Sequence, residues 1–288
     1  MKGIILAGGA GSRLYPMSLV ASKQLQPVYD KPMVYYPLTT LLEAGIRDIA
    51  VISTPHDLPR FRQLLGDGKR LGIRFTYIEQ VRPEGIAQAF LLAESFIGNE
   101  PVALILGDNI FYGATGFNET VRDFTTGATV FGYSVRDPER YGVIALDAKG
   151  KVVDIIEKPK AFVSPYAVPG FYVYDNSVVA RTRKLQPSPR GELEITDLNK
   201  SYLADGQLHV HLVPRGVAWL DAGTSSSLHD ASAFIQAIEK RQSIKIGCPE
   251  EAAYRRGFIS DAEFAALIAS LPNCEYRAYL EETLNKPF

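Results

Sequence analysis

Hydrophobic positions in the first half of the chain fall in short unbroken runs separated by amphipathic stretches. Lys2–Ala7, Ile49–Ser53, Arg74–Ile78 and Val102–Leu106 are brief and mostly apolar, and Gly, Pro or a polar residue closes each. That pattern predicts strands buried on both faces. Between them, Gly85–Ile97 places Ile86, Ala89, Phe90, Ala93 and Ile97 on one helical face. Leu38–Ala44 and Leu58–Leu65 also read as helices. Strand and helix alternating at this spacing predict a parallel sheet covered on both faces.

After about residue 127 the rhythm changes. Ala128–Val135, Val143–Leu146, Val152–Ile156, Val168–Tyr174 and His209–Pro214 succeed one another as strand-like runs. They predict an antiparallel insertion, at about 128–215, in an α/β core spanning 1–225. From residue 226 to 288 the pattern is helical, with predicted helices at Leu228–Arg241, Glu250–Gly257, Ser260–Ser270 and Glu275–Leu284. Such a tail suits oligomerisation or regulation.

Composition narrows the classes. The 288 residues are 46% hydrophobic and 22% charged, ordinary globular usage that excludes a disordered chain, a collagen and a coiled coil. A net charge of -1 offers no global field for nucleic acid. Cys248 and Cys274 are too few for a disulfide framework and form no CxxC. The start lacks the apolar stretch of a signal peptide, and no window approaches the roughly 20 apolar residues of a membrane span. The expectation is a soluble cytoplasmic protein that binds neither membrane nor nucleic acid.

The candidate chemistry begins at Leu6-Ala-Gly-Gly-Ala-Gly-Ser-Arg13, directly after the first predicted strand. Gly8, Gly9 and Gly11 permit close backbone approach to a ligand, and their N–H groups can form an anion nest. A helix beginning just after them would add its positive end. Arg13 and Lys23 are cations close by. The stretch is not a Walker A loop, and it meets Leu14 where the dinucleotide fingerprint needs its third glycine. Asp108 and Asp221 each end an apolar run beside a glycine. Either alone reads equally as a turn or capping residue; together they offer the oxygen donors Mg²⁺ takes. Their distance in sequence leaves the pairing to the fold.

The Gly-rich turn, with Ser22-Lys23-Gln24-Leu25 and Pro27-Val-Tyr-Asp-Lys-Pro32 after it, resembles the sugar-1-phosphate nucleotidyltransferases, and most of all the short glucose-1-phosphate thymidylyltransferases. Gly107-Asp-Asn-Ile-Phe-Tyr-Gly113, Asp137-Pro-Glu-Arg-Tyr-Gly142, Glu157-Lys-Pro159, Arg190-Gly-Glu-Leu-Glu-Ile-Thr-Asp197, Trp219-Leu-Asp221 and Cys248-Pro-Glu-Glu251 extend the likeness along nearly the whole chain.

The resemblance implies a Rossmann-like, mostly parallel sheet with helices on both faces, a sugar-binding antiparallel insertion and a helical tail. It implies a homotetramer and a reaction of dTTP with glucose 1-phosphate giving dTDP-glucose and pyrophosphate. The product would feed dTDP-rhamnose or other deoxysugar synthesis. Mg²⁺ would sit on Asp108 and Asp221, with Arg13 and Lys23 as catalytic cations. Gly8, Gly11, Ser12, Gln24 and Asp108 would contact the nucleotide, and Gln80 and Gly85 its base. Gln80 alone reads as an ordinary loop residue. The sugar would meet Asn109, Tyr141, Gly142 and Glu157, with Lys158, Val168, Tyr172 and Trp219 around them. The four histidines form no catalytic cluster, and His209 and His211 read as structural. Departures from the family pattern are Ala10, Ser12, Val81, Pro169, Ala222, the Gly113-Ala-Thr-Gly116 turn and Arg277. The alternatives are a UTP-using uridylyltransferase and a non-catalytic regulatory subunit on the same scaffold. All four phosphate and metal residues are present, which disfavours the latter.

Overall fold

The computed structural model describes residues 1–9 and 11–285. Ala10, one of the departures from the family pattern, lies outside the described residues.

The first half alternates as the pattern predicts. In chain order come β1 (Lys2–Leu6), the two-residue strands β2 (Pro27–Val28) and β3 (Lys31–Pro32), α1 (Tyr35–Glu43), β4 (Asp48–Ser53), α2 (Leu58–Leu65) and β5 (Arg74–Glu79). Next are α3 (Gln88–Leu92), α4 (Glu94–Ile97), β6 (Val102–Leu106), β7 (Asn109–Tyr112) and α5 (Phe117–Asp123). Strands then dominate: β8 (Ala128–Ser134), β9 (Gly142–Leu146), β10 (Val152–Glu157), β11 (Tyr166–Ala167) and β12 (Phe171–Tyr174). The helices α6 (Val178–Thr182) and α7 (Ile195–Ala204), then β13 (Leu208–Leu212) and β14 (Ala218–Asp221), complete the core. The tail is α8 (Ser225–Gln242), α9 (Pro249–Arg255), α10 (Asp261–Ala269) and α11 (Glu275–Leu284).

One large sheet runs in the order β10-β9-β11-β8-β12-β6-β1-β4-β5, with β13 added beside β8. Strands β6, β1, β4 and β5 are parallel; the sheet continues antiparallel through β12, β8, β11, β9 and β10. The antiparallel strands expected between 128 and 215 are thus continuous with the parallel ones, except that the His209–Pro214 run forms β13, which pairs parallel with β8. Alternation places the core. Ile5, Ile49 and Val51 point to the face covered by α1, α2 and the tail helices α9–α11. Ile4, Leu6, Ala50 and Ile52 point to the face covered by α3, α6 and α7. A third cluster packs α8 against Leu14, Val28, Met33 and Tyr36. No helix of the described residues is long and apolar enough to cross a membrane.

Three expectations change. The Gly85–Ile97 helix starts only at Gln88 and is divided at Ala93. Gly85 sits at φ 101°, pressed against the Leu193 backbone, a position no helix can continue through. The Val168–Tyr174 strand is broken at Pro169-Gly170, because Pro169 has no N–H for the ladder. No α-helix succeeds the glycine turn; three short 3-10 turns, Ser12–Leu14, Met17–Leu19 and Lys23–Leu25, stand there. Gly11 is left-handed, and the Gln26 side-chain amide donates to the Met17 and Ala21 carbonyls, fixing a compact loop in place of a helix. Any anion at this turn is therefore held by backbone N–H groups and side-chain cations, without a helix dipole.

Candidate active site

Neighbouring parallel strands end together, so the residues just beyond their carboxyl ends meet at one sheet edge. The glycine turn lies just beyond β1, Asp108 just beyond β6 and Gln80 just beyond β5. The Gly107 N–H donates to the Leu6 carbonyl at 2.9 Å, and the Gln80 N–H to the Ser53 carbonyl at 2.8 Å. Asp221 arrives from far along the chain. Strand β14 pairs antiparallel with β7, with Asp221 opposite Asn109, and the Ala222 N–H reaches the Asp108 carbonyl. The fold thereby supplies the pairing that sequence spacing left open.

These elements border a cleft of about 370 Å³, within the range of small-molecule sites. Gly8, Gly9, Arg13, Asp108 and Asp221 stand on its lining. Gln80 and Gly85 line another part of it. Asn109, Tyr141, Gly142, Glu157, Lys158, Val168, Tyr172 and Trp219 form the remaining expected wall. Gly11, Ser12 and Gln24 are not brought to the lining. Lys23 stands behind it, with its ammonium paired to the Asp108 carboxylate. No histidine lines the cleft; the ring of His211 packs beside Phe131.

The electrostatics are uneven. The Asp108 carboxylate is engaged on both oxygens, by Lys23 and by the Asn109 amide at 3.0 Å. The Asp221 carboxylate makes no hydrogen bond or ion pair among the described residues. Burial, and then the negative charge of Asp108, raise its carboxyl above the usual range, against the opposing pull of Lys23, Arg13 and Arg140. Two close carboxylates, one without a partner of its own, are a donor set that suits a divalent cation. Among the described residues no group of three or more His, Cys, Asp or Glu could hold a metal. A hard cation here would therefore complete its shell with phosphate oxygens and water, as Mg²⁺ commonly does.

The wall on the antiparallel side is rigid. Asn109 Oδ1 accepts from the Gly170 N–H at 2.9 Å and from Trp219 Nε1 at 2.7 Å. The Tyr141 ring lies 4.9 Å from that of Trp219. The Val168 N–H donates to the Gly142 carbonyl, and the Thr196 hydroxyl to Glu157 Oε2 at 2.7 Å. Arg140, Arg190, Glu194, Thr196 and Asn199 also line the cleft, although sequence reasoning gave them no role. The Asp137–Gly142 and Arg190–Asp197 stretches were part of the resemblance, which was the available signal for four of them.

The family model described as nucleotidyl transferase matches residues 2–238. A glucose-1-phosphate thymidylyltransferase of Mycolicibacterium smegmatis is 54% identical over 99% of this chain and 100% of its own length. One from Neisseria meningitidis is 51% identical, over 99% of this chain and 100% of its own. A Bacillus anthracis crystal structure, described as a candidate glucose-1-phosphate thymidylyltransferase in complex with sucrose, superposes with a TM-score of 0.75 at 45% identity. The match covers 81% of this chain and 94% of that one. Sheet order, cleft and these likenesses agree: the chain belongs to the nucleotidyl transferase family.

Proposed function

We propose that the protein is a Mg²⁺-dependent glucose-1-phosphate thymidylyltransferase, joining dTTP and glucose 1-phosphate into dTDP-glucose and pyrophosphate. The observation that carries this reading is the convergence of Arg13, Asp108 and Asp221 at one end of the cleft, with Gln80 and the Asn109–Trp219 wall elsewhere on it. The relatives at 54% and 51% identity carry the same activity in their names.

The nucleophile is a phosphate oxygen of the sugar phosphate, already anionic at neutral pH because its second pKa is about 6. It attacks the α-phosphorus of the nucleotide in line, and pyrophosphate leaves. No general base is needed, in keeping with a cleft without histidine. Catalysis is then positioning and charge stabilisation. Arg13 holds the triphosphate and the departing pyrophosphate. Lys23 orients Asp108 and offsets phosphate charge. Asp108 and Asp221 would hold Mg²⁺, which would supply further neutralisation of phosphate charge. Glu157 and the backbone at Gly142 face the sugar hydroxyls, and Lys158 its phosphate.

The same reading places the product in dTDP-rhamnose or related deoxysugar synthesis, in the cytoplasm. It takes residues 226–288 as the oligomerisation and regulatory region of a homotetramer, whose mass sedimentation equilibrium measures directly. The test of activity is pyrophosphate release with Mg²⁺ and glucose 1-phosphate, comparing dTTP, UTP, ATP, CTP and GTP. Release mainly with dTTP is expected. Preference for UTP would change the product and keep the mechanism; silence with every nucleotide and every sugar 1-phosphate would overturn the reading.

A further inference from the structure

Gln80 is 2% exposed, and its amide is wedged between Gly8 and a second glutamine. Its Nε2 donates to Gln88 Oε1 at 2.8 Å. The same Gln88 oxygen accepts the Glu84 backbone N–H at 3.1 Å, and Gln88 Nε2 donates to Glu84 Oε2 at 2.8 Å. Amide oxygen and nitrogen are told apart by their partners, and here the partners leave one solution. The Glu84 carboxylate only accepts, so the Gln88 nitrogen faces it. The Gln88 oxygen is then turned to the Glu84 N–H and to Gln80. Gln80 must meet that oxygen with its own nitrogen. Its Oε1 is consequently directed to Gly8, so close that a Cβ on residue 8 would lie 1.8 Å from it. Gly8 and Gln80 line the cleft, whereas Glu84 and Gln88 do not.

We propose that Glu84 and Gln88 are positioning residues that fix the polarity of the Gln80 amide and thereby set which pyrimidine the cleft accepts. This rests on the reading of the cleft as a pyrimidine nucleotide site. A fixed acceptor at Gln80 Oε1 takes a base whose ring nitrogen carries a proton, as N3 of thymine and uracil does. Cytosine presents a lone pair at N3, and two facing acceptors repel. Reversing Gln80 to suit cytosine would reverse Gln88 and set its oxygen against the Glu84 carboxylate. The relay therefore converts one surface carboxylate into discrimination at a base it never touches. It gives no reason to separate thymine from uracil, which share the N3–H.

The test uses the full-length enzyme with Mg²⁺ and saturating glucose 1-phosphate. kcat and KM are measured for dTTP, dUTP and dCTP in the wild type, Glu84→Gln and Gln88→Met, with thermal midpoints recorded. Glu84→Gln is nearly isosteric and lets the relay turn over. The dTTP-to-dCTP ratio of kcat/KM should fall by about tenfold or more, in part through a rise in dCTP turnover. Gln88→Met removes the relay and should lower the ratio further, with the loss for dTTP in KM more than in kcat. The dTTP-to-dUTP ratio should stay put. A structural role alone would depress all nucleotides together. A dTTP-to-dCTP ratio that stays within about twofold of wild type in both variants would overturn the proposal, while the wild-type preference for dTTP would leave the assigned activity standing. A wild type inactive with dTTP and dUTP alike would overturn that assignment as well.

Discussion

Four charges form a closed ring that links segments far apart in sequence. Glu239 near the end of α8 accepts from Lys31 at 2.9 Å, from Lys245 at 3.0 Å and from the Ile246 N–H at 2.8 Å. Asp30 pairs with both lysines. The Lys31 and Glu239 side chains are only 2% and 4% exposed. Glu239→Gln keeps the shape and removes one charge, leaving two lysines to share Asp30. Breaking a buried pair in this way costs about 3–5 kcal/mol. At about 2–4 °C per kcal/mol for chains of this order of size, the melting midpoint should drop by roughly 6–20 °C. Calorimetry at low and high salt is the assay, since a buried ring is poorly screened and the drop should persist at both. Lys31→Met added to Glu239→Gln should cost less than Lys31→Met alone, with a coupling of about 1 kcal/mol or more. Turnover of the folded variant should fall too. The β2–β3 hairpin returns through the Val34 N–H to the Gln24 carbonyl, beside Lys23. A drop below about 2 °C, or strictly additive effects, would refute the view that the ring holds this hairpin.

The cleft yields the other predictions. Asp221→Asn should abolish turnover while leaving the metal-free melting midpoint equal or higher, because Asp221 is buried beside Asp108 and its carboxyl is raised; a lower midpoint would contradict that electrostatic account. Asp108→Ala should likewise abolish turnover, read by pyrophosphate release, with the circular dichroism spectrum unchanged. Arg13→Ala should lower kcat by about a hundredfold or more and change the KM for glucose 1-phosphate little. Burial alone would raise the Asp30 carboxyl, but Lys245 and Lys31 outweigh it and hold it below the usual range. Its stabilisation is full above the ordinary carboxylate value and is lost as pH falls through the depressed one. The stability gap between wild type and Asp30→Asn should therefore be constant from about pH 5 to 8 and close below about pH 4.

The parallel half of the fold was legible because burial on both faces writes itself into composition. β1, β4 and β6 are found where apolar runs predict them, as is β5, although as an edge strand it buries only Phe75 fully; α2 and α11 match residue for residue. The glycine turn was legible as a ligand loop for a local reason: Gly8, Gly9 and Gly11 stand together, two of them at positive φ, with Arg13 close by. What depended on distant partners was not. The helix does not begin at Gly85 because Leu193 crowds that residue at positive φ, and nothing near residue 85 announces Leu193. The β7–β14 pair, which delivers Asp221 to Asp108, joins two four-residue strands too short to declare themselves. Lys23 is not itself part of the cleft lining and reaches it through Asp108, a partner 85 residues away. The Glu84–Gln88–Gln80 relay left no trace in the periodicity, because Gln88 is a buried polar residue on an otherwise apolar helix.

Helix α8 is eighteen residues long, about 27 Å. Its first turn, capped by Thr224 and Ser227, begins just after Asp221; near its last, Glu239 grips the hairpin that comes after Lys23. A chain emerging from the ribosome has its glycine turn, Arg13 and Asp108 early. Asp221, beside Asp108, and Glu239 and Lys245, around Lys31, come only from the chain through residue 245. The segment after Asp221 and the partner of Lys31 are thus supplied by one and the same helix, so neither is in place until α8 has formed.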